Sequence, residues 1–91
     1  MTTNYLVCYD IRDEKRLLRV YKTIKACGLH IQYSVFHCRL TWQELIELKG
    51  ELREIIDEKK DDIRIYPLPA DMQVVVMGCG DRVPEGVTVS V

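Results

Sequence analysis

The run from Tyr5 to Ile11 (YLVCYDI) constrains the fold most, because it is strand-like and apolar on both sides. Its aliphatic, aromatic and β-branched residues, in a stretch too short for a helix, predict a strand that ends near Asp10. Successive side chains of a strand point to opposite faces, so Leu6 and Cys8 share one face, and Tyr5, Val7 and Tyr9 share the other. Both sides of this strand therefore need a covering layer.

The rest of the sequence supplies two helices and further strands. Asp13 can cap a helix whose apolar residues recur at helical spacing from Leu17 to Cys27, and Gly28 ends it. Thr41 and Glu44 form a capping box at the start of a second helix with a leucine and isoleucine stripe. The predicted strands after the first lie at about 30–40, 63–66 and 72–77.

We interpret these two helices and four strands as a ferredoxin-like α+β fold, whose pattern is βαββαβ. That fold has a four-stranded antiparallel sheet with both helices on one face. At 91 residues the chain is long enough for one domain, which we place at 1–91. Its helix-free face is not consistently polar, which predicts a second copy of the chain as the cover.

The C-terminal tail, residues 80–91, has a strand pattern of its own. Val87, Val89 and Val91 alternate with Thr88 and Ser90, which predicts a short extra strand. We expect that strand at the dimer interface. The pattern leaves open whether it pairs with its own sheet or with the partner's.

Composition bounds the environment of the protein. Hydrophobic residues make up 47% of the chain and charged residues 30%, which is typical of a folded protein. No apolar run is long enough for a membrane span and no secretion signal precedes the first strand, so we expect a cytoplasmic protein. The four cysteines are scattered without a CxxC pair, which favours reduced, structural thiols. They are Cys8, Cys27, Cys38 and Cys79.

The net charge of −1 conceals a strong polarity along the chain. Between residues 12 and 25 there are six basic and two acidic residues, a local charge of +4. Between residues 41 and 62 there are eight acidic and four basic residues, a local charge of −4. The first helix is therefore a candidate surface for nucleic acid, although a charged helix face is also an ordinary solvated surface.

Four motifs in register resemble the CRISPR-associated protein 2 family, the CRISPR-associated endoribonucleases. They are YDI at 9–11, the basic helix KRLLRVYK at 15–22, Gly28 followed by QYSVF at 32–36, and DIRIYPL at 62–68. The resemblance spans nearly the whole chain, from about Tyr5 to Val76.

The resemblance implies a ferredoxin-like homodimer that packs sheet against sheet. It implies a place between dimers of the CRISPR integrase, where the protein helps to hold spacer DNA. It also implies, for some members, Mg²⁺-dependent cleavage of RNA or duplex DNA. The metal-binding aspartate of the family corresponds to Asp10. Basic and aromatic contributors correspond to Tyr9, Arg16 or Arg19, and Phe36.

Asp10 is the sharpest single candidate in the sequence. A carboxylate at the end of an apolar strand is an oxygen ligand suited to Mg²⁺, and a two-fold axis nearby would bring two such carboxylates to one ion. Asp also favours helix caps and strand ends, which is the structural alternative. Tyr9 and Ser34 are candidates to orient water or phosphate, or are simply strand residues.

The candidate nucleic-acid contacts form a positive stripe along the first helix, with one aromatic residue nearby. Such contacts would be sequence-independent and sensitive to salt. His30 and His37 are weaker candidates for general bases. The candidate contact residues are Arg12, Lys15, Arg16, Arg19, Lys22 and Phe36. Of these, Phe36 is most simply a core or interface aromatic, and the nucleic-acid surface is its alternative.

Three functions follow from these features. The first is a nucleic-acid-binding scaffold that assists the CRISPR integrase in spacer acquisition. The second is a Mg²⁺-dependent endonuclease built on Asp10. The third is a non-enzymatic regulatory module that binds a small ligand at its dimer interface. The sequence leaves open whether RNA or DNA is the substrate, whether cleavage is physiological and which surface meets the integrase.

Overall fold

The computed structural model describes residues 1–78 and the strand at 88–90. Eight elements follow one another along this part of the chain. In order they are β1 (Thr3–Asp10), α1 (Glu14–Lys25), β2 (Gly28–Gln32), β3 (Val35–Leu40), α2 (Trp42–Ile55), β4 (Asp62–Pro67), β5 (Gln73–Val75) and β6 (Thr88–Ser90).

Four strands form the main sheet in the order β2-β3-β1-β4, with every neighbouring pair antiparallel. Strand β1 is central, which agrees with its apolar character on both faces. Helices α1 and α2 lie side by side on one face. The ferredoxin-like α+β fold predicted from the sequence is therefore confirmed.

The predicted strand over 30–40 is in fact a hairpin of β2 and β3. The chain turns at Tyr33 and Ser34, where Tyr33 has a φ of 44°. Hairpin turns with positive φ usually carry Gly, Asn or Asp, and this turn carries none. The prediction of one continuous strand was wrong, because no residue at this position indicates a turn from sequence alone.

The predicted strand over 72–77 is also corrected. Only Gln73–Val75 is a strand, and it lies outside the main sheet because the hairpin already supplies the fourth strand. Strand β5 pairs in parallel with β6 of the same chain. The tail strand predicted around Thr88–Ser90 is confirmed, whereas Val87 and Val91 lie outside the described residues.

One face of the main sheet carries the hydrophobic core. Tyr5, Val7 and Tyr9 of β1 are buried on it, and the register places Val7 opposite Phe36 of β3. The apolar stripes of both helices close over these side chains. The helix residues in the core are Val20, Ile24, Leu45, Leu48 and Leu52.

Both helix starts match the sequence prediction. The Asp13 side chain accepts a hydrogen bond from the Arg16 N–H at 3.0 Å. In the capping box of α2, the Glu44 N–H donates to Thr41 Oγ1 at 3.1 Å and the Thr41 N–H donates to Glu44 Oε1 at 2.8 Å. Each pair satisfies N–H groups that a helix leaves without partners.

The helix-free face is apolar at its centre and charged at its ends. Leu6 and Cys8 of β1 and Val35 of β3 lie half-buried at the centre. Exposed charged residues surround this centre: Asp10 and Asp62 at one end, Arg39 at the other, and Arg64 on the edge strand β4, opposite Cys8. A less polar centre inside a polar rim is the usual anatomy of a protein interface.

Candidate functional site

Asp10 is the last residue of β1 and projects from the helix-free face. Its Cα partner across the antiparallel β1–β4 pair is Asp62, the first residue of β4. Directly opposed strand residues have Cβ atoms roughly 5 Å apart and share a face. Both side chains are open to solvent, with 67% of Asp10 and 56% of Asp62 exposed. The strand ends therefore present two neighbouring carboxylates.

A guanidinium lies beside each of these carboxylates. Arg12 Nη2 is 3.7 Å from Asp10 Oδ2, and Arg64 Nε donates to Asp62 Oδ2 at 2.9 Å. Like charges placed opposite each other in a sheet repel, and the two arginines offset that repulsion. Asp62 and Arg64 were not predicted as site residues from the sequence. The signal was present, since the DIRIYPL motif begins with Asp62.

The chemistry of this carboxylate pair fits Mg²⁺. Magnesium is bound through one or two carboxylates while it keeps several water molecules, and an exposed position permits that. Within residues 1–78 and 88–90, no group of three or more Asp, Glu, His or Cys side chains gathers around one point. One chain thus offers Asp10 and Asp62, and a further carboxylate ligand would come from a second copy.

Tyr9 and Ser34 lie away from these carboxylates. Tyr9 is buried against Phe36 on the helix side, because neighbouring residues of β1 point to opposite faces. The Tyr9 N–H donates to the Ser34 carbonyl at 3.1 Å. Burial chiefly raises the pKa of Tyr9, Tyr21 adds to the rise, and a hydrogen bond with Ser34 opposes it. One chain does not bring Tyr9 and Asp10 into one site.

Phe36 is a core residue. Its side chain has no exposed surface and contacts three rings, with centroid distances of 4.8 Å to His30, 5.6 Å to Tyr21 and 6.2 Å to Tyr9. Binding of nucleic acid to this ring would require opening the cluster. The structure therefore corrects the prediction that Phe36 belongs to a nucleic-acid surface.

The remaining basic candidates form an exposed stripe. Lys15, Arg19 and Lys22 recur at helical spacing on the outer side of α1, and Arg12 lies just before the helix with 69% of its side chain exposed. Lys25 continues the stripe, with its Nζ 5.4 Å from the centre of the Tyr21 ring. Their exposure is what contact with a phosphate backbone requires, and that contact stays a prediction.

Arg16 has a different environment from the rest of the stripe. Its Nε donates to Asp61 Oδ2 at 2.7 Å and its Nη2 donates to Asp61 Oδ1 at 3.1 Å. The same carboxylate accepts the Arg12 N–H at 2.9 Å and the Asp57 N–H at 2.9 Å. Asp61 has no exposed side-chain surface, and the Arg16 hydrogen bond chiefly lowers its pKa.

This bidentate pair joins the start of α1 to the start of β4. Arg16 retains only 24% exposure. Its geometry supports a structural role, and its contact with nucleic acid stays a prediction. Sequence reasoning missed Asp61 because 45 residues separate the partners.

The two histidines are held in packed surroundings. His30 stacks on Phe36 and meets the Tyr21 ring edge-on at 5.5 Å, and its Nε2 lies within hydrogen-bond distance of the Tyr33 carbonyl oxygen. His37 is buried, and its Nε2 has no hydrogen-bond partner among the described residues. Burial, followed by the charge of Arg39, lowers the pKa of His37.

Comparison with known proteins places this geometry in a family. The model of the CRISPR associated protein Cas2 family matches residues 3–74. A Thermodesulfovibrio yellowstonii protein, CRISPR-associated endoribonuclease Cas2 2, is 57% identical over 89 residues, which cover 98% of each chain.

Solved structures agree with this match. A hypothetical protein from Thermus thermophilus superposes with a TM-score of 0.82 at 35% identity, covering 90% of this chain and 98% of the other. A chain of a partial Cas6-RT-Cas1–Cas2 complex superposes with a TM-score of 0.68 at 26% identity, covering 76% of each chain. The family match, the full-length relative and the shared fold together establish that the chain belongs to the CRISPR associated protein Cas2 family.

Proposed function

We propose that this protein acts in CRISPR spacer acquisition as a homodimeric, nucleic-acid-binding scaffold for the Cas1 integrase. The observation that carries the proposal is membership of the Cas2 family together with the likeness to a chain of a complex that contains Cas1. The helix-free face, with its apolar centre and charged rim, is the surface on which two copies would pack.

The exposed stripe of α1 supports the nucleic-acid part of the proposal. Lys15, Arg19 and Lys22 carry no acidic partner among the ion pairs of the described residues. In a homodimer the stripe would occur twice, once on each protomer. Such a surface binds the phosphate backbone without regard to sequence, and salt weakens it strongly.

The first experiment neutralises part of this stripe. We expect the double substitution Lys15→Gln and Arg19→Gln to weaken binding to duplex DNA. The plot of log K against log salt should also flatten, by about one unit for each phosphate that the variant no longer neutralises. Lys49→Gln with Arg53→Gln, which removes the same charge from exposed positions on α2, is the matched control. Equal weakening in both variants would contradict a specific role for α1.

The second experiment tests the scaffold itself. The protein and the Cas1 integrase from the same genome are mixed and resolved by size-exclusion chromatography with light scattering. We expect one complex that contains two copies of this chain and that integrates a short duplex. Failure to form a complex with a Cas1 that is active with another Cas2 protein would contradict the proposal.

Metal-dependent cleavage of nucleic acid is a second candidate function, and Asp10 carries it. Two neighbouring exposed carboxylates are suited to a magnesium ion, and relatives are named endoribonucleases or endonucleases. When bound, Mg²⁺ would supply a polarised water and neutralise charge on the phosphate. Asp10 and Asp62 would hold the ion, while Arg12 and Arg64 would offset the repulsion between the carboxylates and contact the substrate.

The test is a cleavage assay on RNA and on duplex DNA with Mg²⁺ and with EDTA. We expect Asp10→Asn and Asp62→Asn to abolish cleavage while complex formation with Cas1 persists. Asp13→Asn, which alters the α1 cap on the other side of Arg12, is the control for a change of one nearby charge. Cleavage that survives in Asp10→Asn would exclude this site as its source.

The small-ligand module gains no support from the cavities. An open groove of about 580 Å³ lies between α2 and β4, lined by Trp42, Leu52 and Ile65 among others. A second depression lies beside α1, near Tyr9 and Tyr33. Both open on the helix side of the sheet, whereas that hypothesis placed the ligand between two sheets.

A further inference from the structure

Cys27 and Cys38 lie together although eleven positions separate them in the sequence. Cys27 follows Ala26, the C-cap of α1, and precedes Gly28, the first residue of β2. Gly28 is the Cα partner of Cys38 across the β2–β3 pair. Both thiols are free, and both sulfurs lie beside the backbone where α1 ends and β2 begins: Cys27 Sγ is 3.4 Å from the Ile24 carbonyl oxygen, and Cys38 Sγ lies against Gly28.

Gly28 makes this approach close. A Cβ atom on Gly28 would lie only 2.5 Å from Cys38 Sγ, so the Cys38 sulfur rests over the Gly28 backbone, next to the residue that carries the other thiol. Any side chain at this position would push the Cys38 sulfur away. The sequence predicted both cysteines to be reduced, structural thiols, because they are scattered and neither belongs to a CxxC pair.

The two thiols differ sharply in access to solvent. Cys27 is exposed, whereas Cys38 is wholly buried in the core between Phe36 and Leu40 on β3. The Cys27 thiol also contacts the Ile24 carbonyl oxygen at 3.4 Å, which holds it at the end of α1. A soluble reagent can therefore reach the first sulfur and not the second.

The exposed thiol, Cys27, is also the more acidic of the two. The neighbouring Cys38 side chain chiefly lowers the pKa of the Cys27 thiol, against the opposing effects of burial and of Glu51 and Glu44. The neighbouring Cys27 side chain, followed by burial, raises the pKa of Cys38. Because the thiolate is the reacting form, the exposed cysteine is also the better nucleophile of the two.

From this arrangement we propose that Cys27 and Cys38 form a peroxide-reactive dithiol site that closes into an intramolecular disulfide. Cys27 is the attacking residue and Cys38 is the resolving residue. The oxidant is hydrogen peroxide or an organic hydroperoxide. The disulfide joins the end of α1, the helix with the basic stripe, to strand β3 in the core. This site is independent of the proposed function of the protein.

The chemistry balances in two steps. The Cys27 thiolate attacks one peroxide oxygen, so an S–O bond forms, the O–O bond breaks, and hydroxide leaves and takes up a proton as water (an organic hydroperoxide releases the alcohol instead). Cys27 is then a sulfenic acid. The Cys38 sulfur attacks the Cys27 sulfur, so the S–S bond forms, the S–O bond breaks, and the Cys38 proton leaves with the hydroxyl group as water. Two thiols are oxidised and one peroxide is reduced.

The experiment uses the full chain, reduced and then freed of reductant. After a small molar excess of hydrogen peroxide, the remaining thiols are blocked with N-ethylmaleimide and the protein is digested for mass spectrometry. We expect the peptides with Cys27 and Cys38 to be joined and lighter by two hydrogens, and dithiothreitol to release them. Cys8, half-buried on the helix-free face, is the internal comparison and should remain a thiol that the maleimide blocks.

Two variants separate the roles of the sulfurs. In Cys38→Ala we expect Cys27 to stop at the sulfenic acid, trapped by dimedone, and in Cys27→Ala we expect Cys38 to remain a thiol. Circular dichroism of each variant checks the fold, and the wild-type peptide map decides the question if a variant does not fold. Recovery of both cysteines as blocked thiols, a Cys27 bond between chains, or equal oxidation of Cys8 would overturn the proposal.

Discussion

The two faces of the main sheet are made from alternate residues of the same strands, yet they differ in burial and in charge. On the helix-covered face, Tyr5, Val7 and Tyr9 are buried among aromatic and aliphatic neighbours. On the helix-free face, Leu6 and Cys8 are half-buried and the strand ends at the exposed Asp10. A one-residue step along β1 thus separates the core from the candidate site.

This difference shows how a small chain combines a stable core with an open candidate site. The covered face holds the fold together without a contribution from the candidate metal ligands. The helix-free face can therefore carry paired carboxylates whose mutual repulsion a core would not tolerate. Substitutions on each face test whether the two are as separate in their energetics as in their geometry.

The largest expected effect is on the covered face. Phe36→Ala should lower the free energy of unfolding by about 3–5 kcal/mol, because it removes a wholly buried ring. Tyr66→Ala, which removes a ring that is 45% exposed on the other face, should cost about 0.5 kcal/mol or less in a monomer. Urea denaturation at low protein concentration measures both. Equal destabilisation would contradict the separation of the faces.

Two glycine substitutions should change the stability of the protein in opposite directions. Gly28→Ala places a Cβ 2.5 Å from Cys38 Sγ and 2.9 Å from the His37 carbonyl oxygen, and overpacking of this kind costs about 1–3 kcal/mol. Gly50→Ala, inside α2 with nothing near the new Cβ, should stabilise the protein by about 0.5–1 kcal/mol. Thermal and urea denaturation report both values.

The double variant Gly28→Ala with Cys38→Ala identifies the obstacle to the new methyl group. If the sulfur is the main obstacle, the double variant should lose less unfolding free energy than the two single variants lose together. Strict additivity would show that the backbone of β3, not the Cys38 sulfur, resists the methyl group.

The next effect concerns acid stability at the junction of α1 and β4. Arg16 holds the pKa of Asp61 below its ordinary value of 3.8, so the folded chain releases this proton more readily than the unfolded chain. The resulting stability is fully present above about pH 4 and is lost as the pH falls below that value. Asp61→Asn should destabilise the protein at pH 7 and flatten this acid limb.

Arg16→Gln is the matched variant, because it removes the main cause of the shift and leaves the carboxylate. Urea denaturation between pH 7 and pH 2 should show a flatter acid limb in this variant as well. An unchanged acid limb in both variants would mean that the pair does not contribute to folding stability.

The smallest effect comes from His37, the buried histidine of the helix-free face. Burial and Arg39 lower its pKa from 6.5, so the unfolded chain takes up this proton more readily than the folded chain. The contribution of His37 to stability is therefore present above about pH 6.5 and is lost as the pH falls below it. His37→Gln should flatten the profile of unfolding free energy, measured in urea, between about pH 7 and pH 5.

Arg39→Gln removes the second cause of the lowered His37 pKa and leaves the burial. It should therefore flatten the pH profile of the unfolding free energy less than His37→Gln does. Stability of the wild type that rises as the pH falls through this window would contradict the assignment. In that case the helix-free face would stabilise the charged imidazolium instead of excluding it.

Much of the fold was predictable because its signals are local. The Thr41–Glu44 capping box, the Asp13 cap and the alternation along β1 each depend on a few neighbouring residues, and all three are present in the structure. The hairpin turn was missed because a tyrosine adopts positive φ there. Its contact with His30 and the pairing of β2 with β3 outweigh the preference of a tyrosine for negative φ.

The candidate site was predictable only in part. Asp10 ends its strand as expected, and the exposed basic residues of α1 follow from helical periodicity. The neighbours that define their environments are distant in sequence: Asp62 for Asp10, Asp61 for Arg16, and Tyr21 and His30 for Phe36. An aromatic residue in a strand does not indicate which face it occupies until the register is known.

The order of residues was enough to define where the helices begin, which of their faces are apolar, the charge polarity of the chain and the family to which it belongs. Which carboxylates are neighbours, which arginine is engaged by a carboxylate and which two cysteines lie side by side became known only from the folded chain. The two kinds of feature differ in range. Caps and periodicity are set within one or two turns of chain, whereas strand register and helix docking are set by packing between residues far apart in sequence.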